Sequence, residues 1–331
     1  MTIYDIAKLA GVSASTVSRV ANGKSGVSRK AREKVEKLLR QYNYVPDENA
    51  RSLVMQSSRT IGMLTDDLET FHQADGVHKA ESELMRQGYF CFVKYIDKAG
   101  DSLEDSFIDL ARHRVAGAMC FGATFRNVDE VVGAVQRHLP NTPVIMVNNN
   151  VVFPLDNIYS IGAEEQDAFE RCVEMMASRG RRNLALLLNE NRISADIIQR
   201  GFTTGLSRCP EVQGRLFDAI PATIEGGRQA AQRVLDEYPE ADGLICAHDL
   251  IAIGALHVMQ KHGVRVPEQM AILGENNTPF CEVCSPALSS LDTMISISSV
   301  IGARTLLDVL NKQTASHRTM LQMEIVERST T

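Results

Sequence analysis

A short stretch near the amino terminus carries side chains that could recognise another molecule through hydrogen bonds. The side chains expected to face outward from it are small, hydroxylated or basic: Ala14, Ser15, Thr16, Ser18 and Arg19. Small and hydroxylated side chains allow close approach to base edges and phosphates, and an arginine can make two hydrogen bonds to one guanine. The chemistry that this stretch indicates is recognition of a nucleic acid.

Two short helices must position these side chains. The first has apolar residues at helical spacing: Ile3, Ile6, Ala7 and Ala10. Thr2 is its candidate N-cap, and Gly11 follows it, where a positive φ costs little. Ser13 stands at the next N-cap position, before a second helix predicted over 14–22. Two helices joined by a tight glycine turn form a helix-turn-helix, whose second helix enters the DNA major groove.

A third helix is predicted over 28–42, with an apolar stripe formed by three residues: Val35, Leu38 and Leu39. Its basic start at Arg29 and Lys30 suits contacts to phosphates, which position a protein on DNA without specifying sequence. Residues 1–59 carry eleven lysines and arginines against five acids, whereas the rest of the chain carries 24 against 36. A basic head on an acidic body favours a polyanion at one end, although charge alone also allows a lysine cluster on a solvated helix.

The bulk composition excludes several classes of protein. A chain of 331 residues is long enough for two or three domains, and it holds no apolar run of about 18 residues, so we expect no transmembrane helix. The start MTIYDIAKLAG lacks the layout of a signal peptide. Seven scattered cysteines fit a reducing compartment, and we therefore expect a cytoplasmic protein.

The head resembles the DNA-binding domain of the lac repressor and galactose repressor family of bacterial transcription regulators. The resemblance is carried by TIYDIAKLAGVSASTVSRVANG, then VSRKAREKVEKLLRQYNYVP, then ARSL, nearly without gaps over residues 2–53. It implies that Ala14, Ser15 and Arg19 read operator bases. It also implies a set of residues that contact the DNA backbone or support such contacts: Tyr4, Thr16, Ser18, Asn22, Ser28 and Tyr44. Thr2, Ser13 and Arg29 complete the predicted DNA-binding set.

The segment that follows this head is predicted to be a hinge. The resemblance implies a DNA-binding domain over 1–46 and a hinge helix and linker over 47–59. In this family a leucine of the hinge wedges the minor groove, and Leu53 stands at that position with Ala50 beside it. A segment this short is too short to be a stable helix alone, and apolar wedges between base steps kink DNA. The alternative is that Leu53 is an ordinary linker leucine.

From residue 60 onward, apolar runs alternate with amphipathic segments. Strands are predicted over 60–64, 89–95, 117–121, 143–147, 184–188, 243–246 and 270–273. Such alternation predicts parallel sheets with helices on both faces, and about 270 residues of it suggest two lobes. The pattern restarts at IYSIGAEEQDAF, near Ile158, which is expected to open the second lobe.

The family resemblance extends through this body and implies its architecture. The motifs RGF, AHDLIAIGAL and GENNTPF carry it to the end of the chain. The implied fold is a two-lobe, type I periplasmic-binding-protein-like α/β domain over 60–331. The first lobe would comprise about 60–160 and 293–317, and the second about 161–291 and 318–328.

A ligand pocket is predicted where the carboxyl ends of the strands meet between the lobes, since ligands of open α/β sheets bind there. The candidate effector-binding residues are Asp67, Phe71, His72, Phe121, Asn148, Ile198, His248, Asp249 and Asn276. Family pockets usually hold sugar hydroxyls with aspartates and an arginine. Here Asn148, Asn276 and Ile198 stand at those positions, so we hypothesise an effector other than an ordinary neutral monosaccharide. The two histidines could equally be packing or surface residues.

The remaining chemistry-bearing residues do not indicate catalysis or a metal. Cys281 and Cys284 form a CxxC pair without the second pair that a zinc site needs, leaving a redox dithiol or inert thiols as alternatives. No Ser/His/Asp arrangement or pair of carboxylates has a spacing that indicates a catalytic site. We therefore expect no enzyme activity, cofactor or metal.

The function predicted is a sequence-specific transcription regulator that binds double-stranded operator DNA as a homodimer. A small-molecule effector, sugar-related or another metabolite, would control it allosterically. A protein corepressor of the phosphocarrier type is an alternative control. A solute-binding protein would share the body but lack the basic head.

Overall fold

The computed structural model describes residues 1–21, 25–42, 58–97, 100, 102–190 and 192–331. The chain divides into two compact units, Met1–Ser58 and Arg59–Thr331. None of the helices in the described residues is long and apolar enough to cross a bilayer.

The described residues of the first unit form three helices: α1 (Ile3–Ala10), α2 (Ala14–Ala21) and α3 (Arg29–Gln41). They pack around a small core in which Ile6, Val17 and Val35 are fully buried. Leu38 and Leu39 cover this core from α3 and are partly buried. The helical spacing in the sequence thus predicted which side chains would be buried, because the inward positions of each helix recur every three or four residues.

The second unit is built on two sheets, and the described residues give each of them six strands. The strands of the first sheet are β1 (Thr60–Thr65), β2 (Phe90–Tyr95), β3 (Gly117–Phe121), β4 (Val144–Val147), β5 (Ile158–Ala163) and β11 (Arg318–Leu321). They are parallel and lie in the order β11-β5-β4-β3-β1-β2.

The second sheet has the same plan with one reversed strand. Its strands are β6 (Asn183–Asn189), β7 (Gln213–Ile220), β8 (Gly243–Cys246), β9 (Ala271–Glu275), β10 (Ser289–Asp292) and β12 (Glu324–Val326). They lie in the order β12-β10-β9-β8-β6-β7, with β12 antiparallel to β10 and the other pairs parallel.

Helices cover both faces of each sheet, as the alternating pattern predicted. The first lobe has α4 (Phe71–Arg86), α5 (Leu103–Arg112), α6 (Val128–His138) and α12 (Ile295–Leu310). The second has α7 (Glu165–Ser178), α8 (Arg192–Arg208), α9 (Ile224–Glu237), α10 (Asp249–Lys261) and α11 (Phe280–Val283). Each sheet carries a separate hydrophobic cluster on either face, so strands such as β3 are buried throughout.

Several details differ from the sequence prediction. The strand β11 lies in the first sheet, where Arg318 pairs with Ser160, although residues 318–328 were expected in the second lobe. The strand β5 belongs to the first sheet, where Val144 pairs with Ile158, and the chain crosses to the second lobe only afterwards. The apolar pattern could not show this, because a buried strand looks the same in either sheet. The strand β7 was not predicted, because it is an edge strand with five of its eight residues exposed.

Candidate nucleic-acid interface and interlobe cavity

The start of α1 is fixed by a reciprocal cap. Thr2 Oγ1 accepts a hydrogen bond from the Asp5 backbone N–H at 3.3 Å, and Asp5 Oδ2 accepts one from the Thr2 N–H at 2.8 Å. These bonds lower the pKa of the Asp5 carboxyl. Tyr4 lies next to the cap and is 74% exposed. Thr2 therefore has a structural role in the head, while Tyr4 is presented to solvent.

The turn between α1 and α2 orders a cluster of hydroxyls. Gly11 has a φ of 68°, the left-handed conformation that glycine adopts readily, and it ends α1. Ser13 Oγ accepts a hydrogen bond from the Thr16 N–H at 3.2 Å and lies 2.9 Å from the hydroxyls of both Ser15 and Thr16. Three hydroxyls thus converge at the amino end of α2, where unpaired backbone N–H groups favour a negatively charged partner.

The outer face of α2 carries the predicted recognition side chains. Arg19 and Ser15 are exposed, and Ala14 and Ser18 beside them are partly buried. The Arg19 guanidinium lies against Gly26, since a Cβ added there would meet Nη1 at 2.9 Å. Gly26 has a φ of 90°, and a side chain at this position would displace the arginine. Sequence reasoning missed this contact, which depends on the fold of the loop before α3.

Ser28 and Arg29 begin α3. Ser28 Oγ accepts a hydrogen bond from the Ala31 N–H at 3.4 Å, and Arg29 Nε bonds Glu33 at 2.9 Å with its side chain 93% exposed. Four other predicted DNA-binding residues lie outside the described residues: Asn22, Tyr44, Ala50 and Leu53.

Between the two lobes of the body lies a cavity of about 150 Å³. Six predicted effector-binding residues line it: Asp67, His72, Asn148, Ile198, His248 and Asn276. Five of them follow β1, β4, β8 and β9 or lie at the start of the helix after β1, because the carboxyl ends of parallel strands meet at this edge of each sheet. The sixth, Ile198, lies within α8. Polar groups that the sequence analysis had not selected complete the lining: Thr70, Gln73, Arg126, Glu165, Asn189, Glu275 and Thr293.

Three of the predicted residues lie outside this lining. Phe121 is fully buried in the core of the first lobe, because its side chain points from β3 into a face of the sheet. Asp249 is fully buried and accepts hydrogen bonds from Thr278 and Ser290 at 2.6–2.8 Å, so it fixes the loop after β9. Phe71 is 45% exposed and makes an edge contact with Phe280 of the other lobe, with 6.5 Å between ring centroids.

The amides at two strand ends have a conformational explanation. Asn148 and Asn276 have φ values of 52° and 102°, in the region that asparagine enters more readily than most residues. Asn277, with a φ of 46°, is held in place because it bonds Asp292 at 3.0 Å and Arg328 at 2.8 Å. Backbone geometry therefore accounts for asparagine at these positions without reference to a ligand.

Two buried histidines face the cavity from opposite lobes. His248 Nδ1 accepts a hydrogen bond from the Leu250 N–H at 3.1 Å, which leaves its ring proton on Nε2 in the neutral form. His72 Nδ1 lies 3.4 Å from the Thr293 hydroxyl. Burial lowers the pKa of His72 to about 3 and also lowers the pKa of His248. Both rings are consequently neutral at neutral pH.

An ion pair joins the lobes across the cavity. Arg126 follows β3 in the first lobe, and its Nη1 and Nη2 bond the two carboxylate oxygens of Glu165, the first residue of α7, at 3.1 and 2.5 Å. Nη2 also donates to the Asn148 carbonyl at 3.2 Å. Both ion-pair side chains are more than nine-tenths buried. The strand-end rule that selected the pocket could also have selected these two residues, because each follows a strand of the first sheet.

The turn after β3 places Arg126. Gly122 has a φ of 116°, and a Cβ there would lie 1.8 Å from the Asp66 carboxylate. That carboxylate accepts bonds from the Thr124 N–H at 3.0 Å and the Thr124 hydroxyl at 2.7 Å, so it fixes the 3-10 turn Ala123–Arg126. Glycine is required at residue 122 because the Asp66 carboxylate occupies the space of its side chain.

Glu275, the last residue of β9, adds a second carboxyl to the cavity. It is 7% exposed, and no hydrogen bond joins its side chain to any other residue in the described part of the chain. Burial and the neighbouring Glu165 raise the pKa of the Glu275 carboxyl well above its ordinary value. This side chain was not selected from the sequence, although it follows the strand predicted over 270–273, and the structure extends that strand as β9 to Glu275.

The CxxC pair has the properties of inert thiols. Cys281 is fully buried, and burial raises its pKa to about 12. Burial also raises the pKa of Cys284, whose thiol donates to the Phe280 carbonyl at 3.2 Å. A redox dithiol needs a thiolate near neutral pH, and neither environment favours one. Among the described residues, no group of three histidines, cysteines or acids is arranged to hold a metal ion.

Comparison with known proteins gives two domain matches. Residues 2–47 match the bacterial regulatory proteins of the lacI family, and residues 173–331 match a periplasmic binding protein-like domain. An HTH-type transcriptional regulator of Lachnoclostridium phytofermentans is 26% identical over 333 residues, covering 100% of this chain and 99% of that protein. Catabolite control protein A of Staphylococcus epidermidis is 27% identical, with coverage of 95% and 93%.

Solved structures agree over the whole chain. The lac repressor bound to ONPG in the repressed state is 25% identical with a TM-score of 0.90, covering 100% of this chain and 99% of that one. The lac repressor dimer bound to operator and the anti-inducer ONPF is 24% identical, also with a TM-score of 0.90, and covers 100% and 98%. The chain is a DNA-binding transcription regulator that joins a helix-turn-helix domain of the lacI family to a periplasmic-binding-protein-like effector domain.

Proposed function

We propose that this regulator is a cytoplasmic, homodimeric repressor whose affinity for a palindromic operator changes when a small molecule occupies the interlobe cavity. The observation that carries the proposal is the cavity itself, which both lobes line with polar side chains. A solved relative is a dimer bound to operator and an anti-inducer, and other relatives are complexes with cellobiose and with lactose. Recognition and signalling are the proposed activities, with no enzymatic step.

On the DNA side, α2 is the proposed recognition helix. Ala14, Ser15 and Arg19 would read base edges, while the hydroxyl cluster around Ser13 and the basic start of α3 would contact phosphates. The ordered hydroxyls at the amino end of α2 support this division, since N–H groups there favour phosphate oxygens. Two heads would bind two half-sites, because the two-fold symmetry of a dimer is mirrored in its operator.

For effector control, we propose that the two lobes change their arrangement relative to each other. A ligand between them changes operator affinity only if it binds one arrangement of the lobes more tightly than the other. The Arg126–Glu165 pair and the edge contact of Phe71 with Phe280 both join the lobes, so a ligand that altered either contact would bias that arrangement. An effector coupled in this way typically changes the affinity for the other ligand, here the operator, by about 5–150-fold.

Selection of bound sequences from a random DNA pool, using the full-length protein, tests the DNA half of the proposal. We expect a palindromic site, and enrichment of an unrepeated site would contradict dimeric binding. Fluorescence anisotropy on the selected site, with and without a metabolite panel, then tests effector control. We expect at least one compound to change the operator Kd by about fivefold or more. A panel without any such compound would contradict the effector role.

A further inference from the structure

The charged side chains that line the cavity are unequal in sign. Among its described lining residues, Asp67, Glu165 and Glu275 are carboxyl groups and Arg126 is the one guanidinium. The two histidines contribute no positive charge at neutral pH, because burial lowers both of their pKa values. Three carboxyl groups therefore face a single cation.

Three of these four groups already have strong partners. Arg126 and Glu165 bond each other through two hydrogen bonds. Asp67 accepts bonds from the Glu69 N–H at 2.8 Å and from the Thr70 N–H and hydroxyl at 3.0 and 2.6 Å. A ligand would have to break these bonds to use the groups fully, so the described lining residues offer an anionic ligand no readily available cation.

Glu275 differs from the other three. It is 7% exposed at the cavity wall, and its side chain has no hydrogen-bond partner among the described residues. A buried carboxyl without a donor is costly unless a ligand supplies one. A protonated amine supplies up to three N–H donors and the opposite charge.

From these observations, and resting on the proposed effector function, we infer that the cavity binds a compact polyhydroxylated ligand that carries an ammonium group, with the ammonium on Glu275. The uncharged amides and hydroxyls of the wall, such as Asn189, Asn276 and Thr293, would bond the hydroxyls of the ligand. Burial and the neighbouring Glu165 raise the pKa of Glu275, so an ammonium placed beside it would favour the ionised carboxylate, and binding would be accompanied by release of a proton.

Calorimetry with matched pairs of probes tests the inference. Two pairs differ in exchanging an ammonium for a hydroxyl: D-glucosamine with D-glucose, and D-galactosamine with D-galactose. A third pair, Tris with pentaerythritol, exchanges an ammonium for a hydroxymethyl group. Full-length protein is titrated in a zwitterionic buffer at pH 7. A charged hydrogen bond is typically worth enough to change affinity about tenfold or more, so we expect at least one ammonium compound to bind about tenfold more tightly than its partner.

The variant Glu275→Gln keeps the shape of the side chain and removes its ability to ionise. We expect it to reduce that preference to about threefold or less, while its Tm stays at or above that of the wild type. Glu282→Gln is the matched control, because Glu282 has a side chain that is 74% exposed on α11 and does not line the cavity. The control should keep the preference of the wild type.

Several results would overturn the inference. These are equal binding of both members of every pair, absence of binding by all three ammonium compounds, or a preference that survives in Glu275→Gln. The proposed function has a separate readout. A neutral or anionic metabolite that changes operator affinity would refute the ammonium ligand and leave effector control intact, whereas a regulator that no metabolite affects would refute both.

Discussion

Removal of the Arg126 guanidinium should destabilise the body more than removal of the whole interlobe ion pair. In Arg126→Met, the Glu165 carboxylate keeps its buried position, with 8% of its side chain exposed, and loses both of its hydrogen bonds to the guanidinium. Breaking one side of a buried pair typically costs about 3–5 kcal/mol, because the remaining charge is left uncompensated. Glu275 lies close to Glu165 and adds to the repulsion.

The double variant Arg126→Met/Glu165→Met removes both charges and keeps apolar volume at the site. We expect it to recover most of the loss, since replacing a buried pair by apolar residues is often neutral or stabilising. Differential scanning calorimetry of the full-length protein measures the effect. For a body of this size, the single variant should lower Tm by on the order of 10 °C.

The exposed pair Arg29–Glu33 provides the control, because surface ion pairs contribute about 0–1 kcal/mol. Arg29→Met should leave Tm within about 2 °C of the wild type. The reasoning is refuted if Arg126→Met costs less than about 1 kcal/mol, or if the double variant is less stable than the single one. Either result would mean that the buried pair is not the interlobe contact that its geometry indicates.

Three further predictions concern DNA and pH. Arg19→Ala should relax the sequence preference for the selected operator. Arg29→Ala should weaken binding to all sequences alike and reduce the slope of log affinity against log salt concentration by about 1. The same change in both variants would contradict their assigned roles. Leu53→Ala should weaken specific binding far more than nonspecific binding in anisotropy titrations, and an equal loss would make Leu53 a spacer. The folded pKa of His72 is about 3, so the unfolded state binds more protons between pH 3 and 6.5, and stability should fall as pH falls through that window. His72→Gln should flatten the dependence of Tm on pH, and parallel curves would count against a neutral buried His72.

The DNA-binding head was predictable because its determinants are local. The spacing of Ile6, Val17 and Val35 predicted the core, and Thr2, Gly11 and Ser13 were identified as caps and turn residues from their neighbours in the chain. Each of these signals acts within one helical turn, where side chains three or four residues apart share a face. The contact of Arg19 with Gly26 was not predictable, because it depends on a loop conformation.

The sequence by itself also determined the class of the body and the edge of the sheets where a ligand would bind. Alternating apolar runs require helices on both faces of parallel sheets, and the carboxyl ends of those strands then meet between the lobes. Tertiary structure alone decided which of the side chains near those ends face the cavity. Asp249 follows a strand end yet is bonded into a loop, whereas Glu275 lies within a strand and still lines the wall.

The ion pair illustrates the physical reason for this division. Arg126 and Glu165 are 39 residues apart and meet only because the chain crosses between the lobes after β5. Strand periodicity gives no indication of which sheet a buried strand joins, so the crossing expected near residue 160 lies after β5 instead of before it. The sequence determined the local elements and the recognition chemistry of the head, whereas the crossings between lobes brought together Arg126, Glu165 and Glu275.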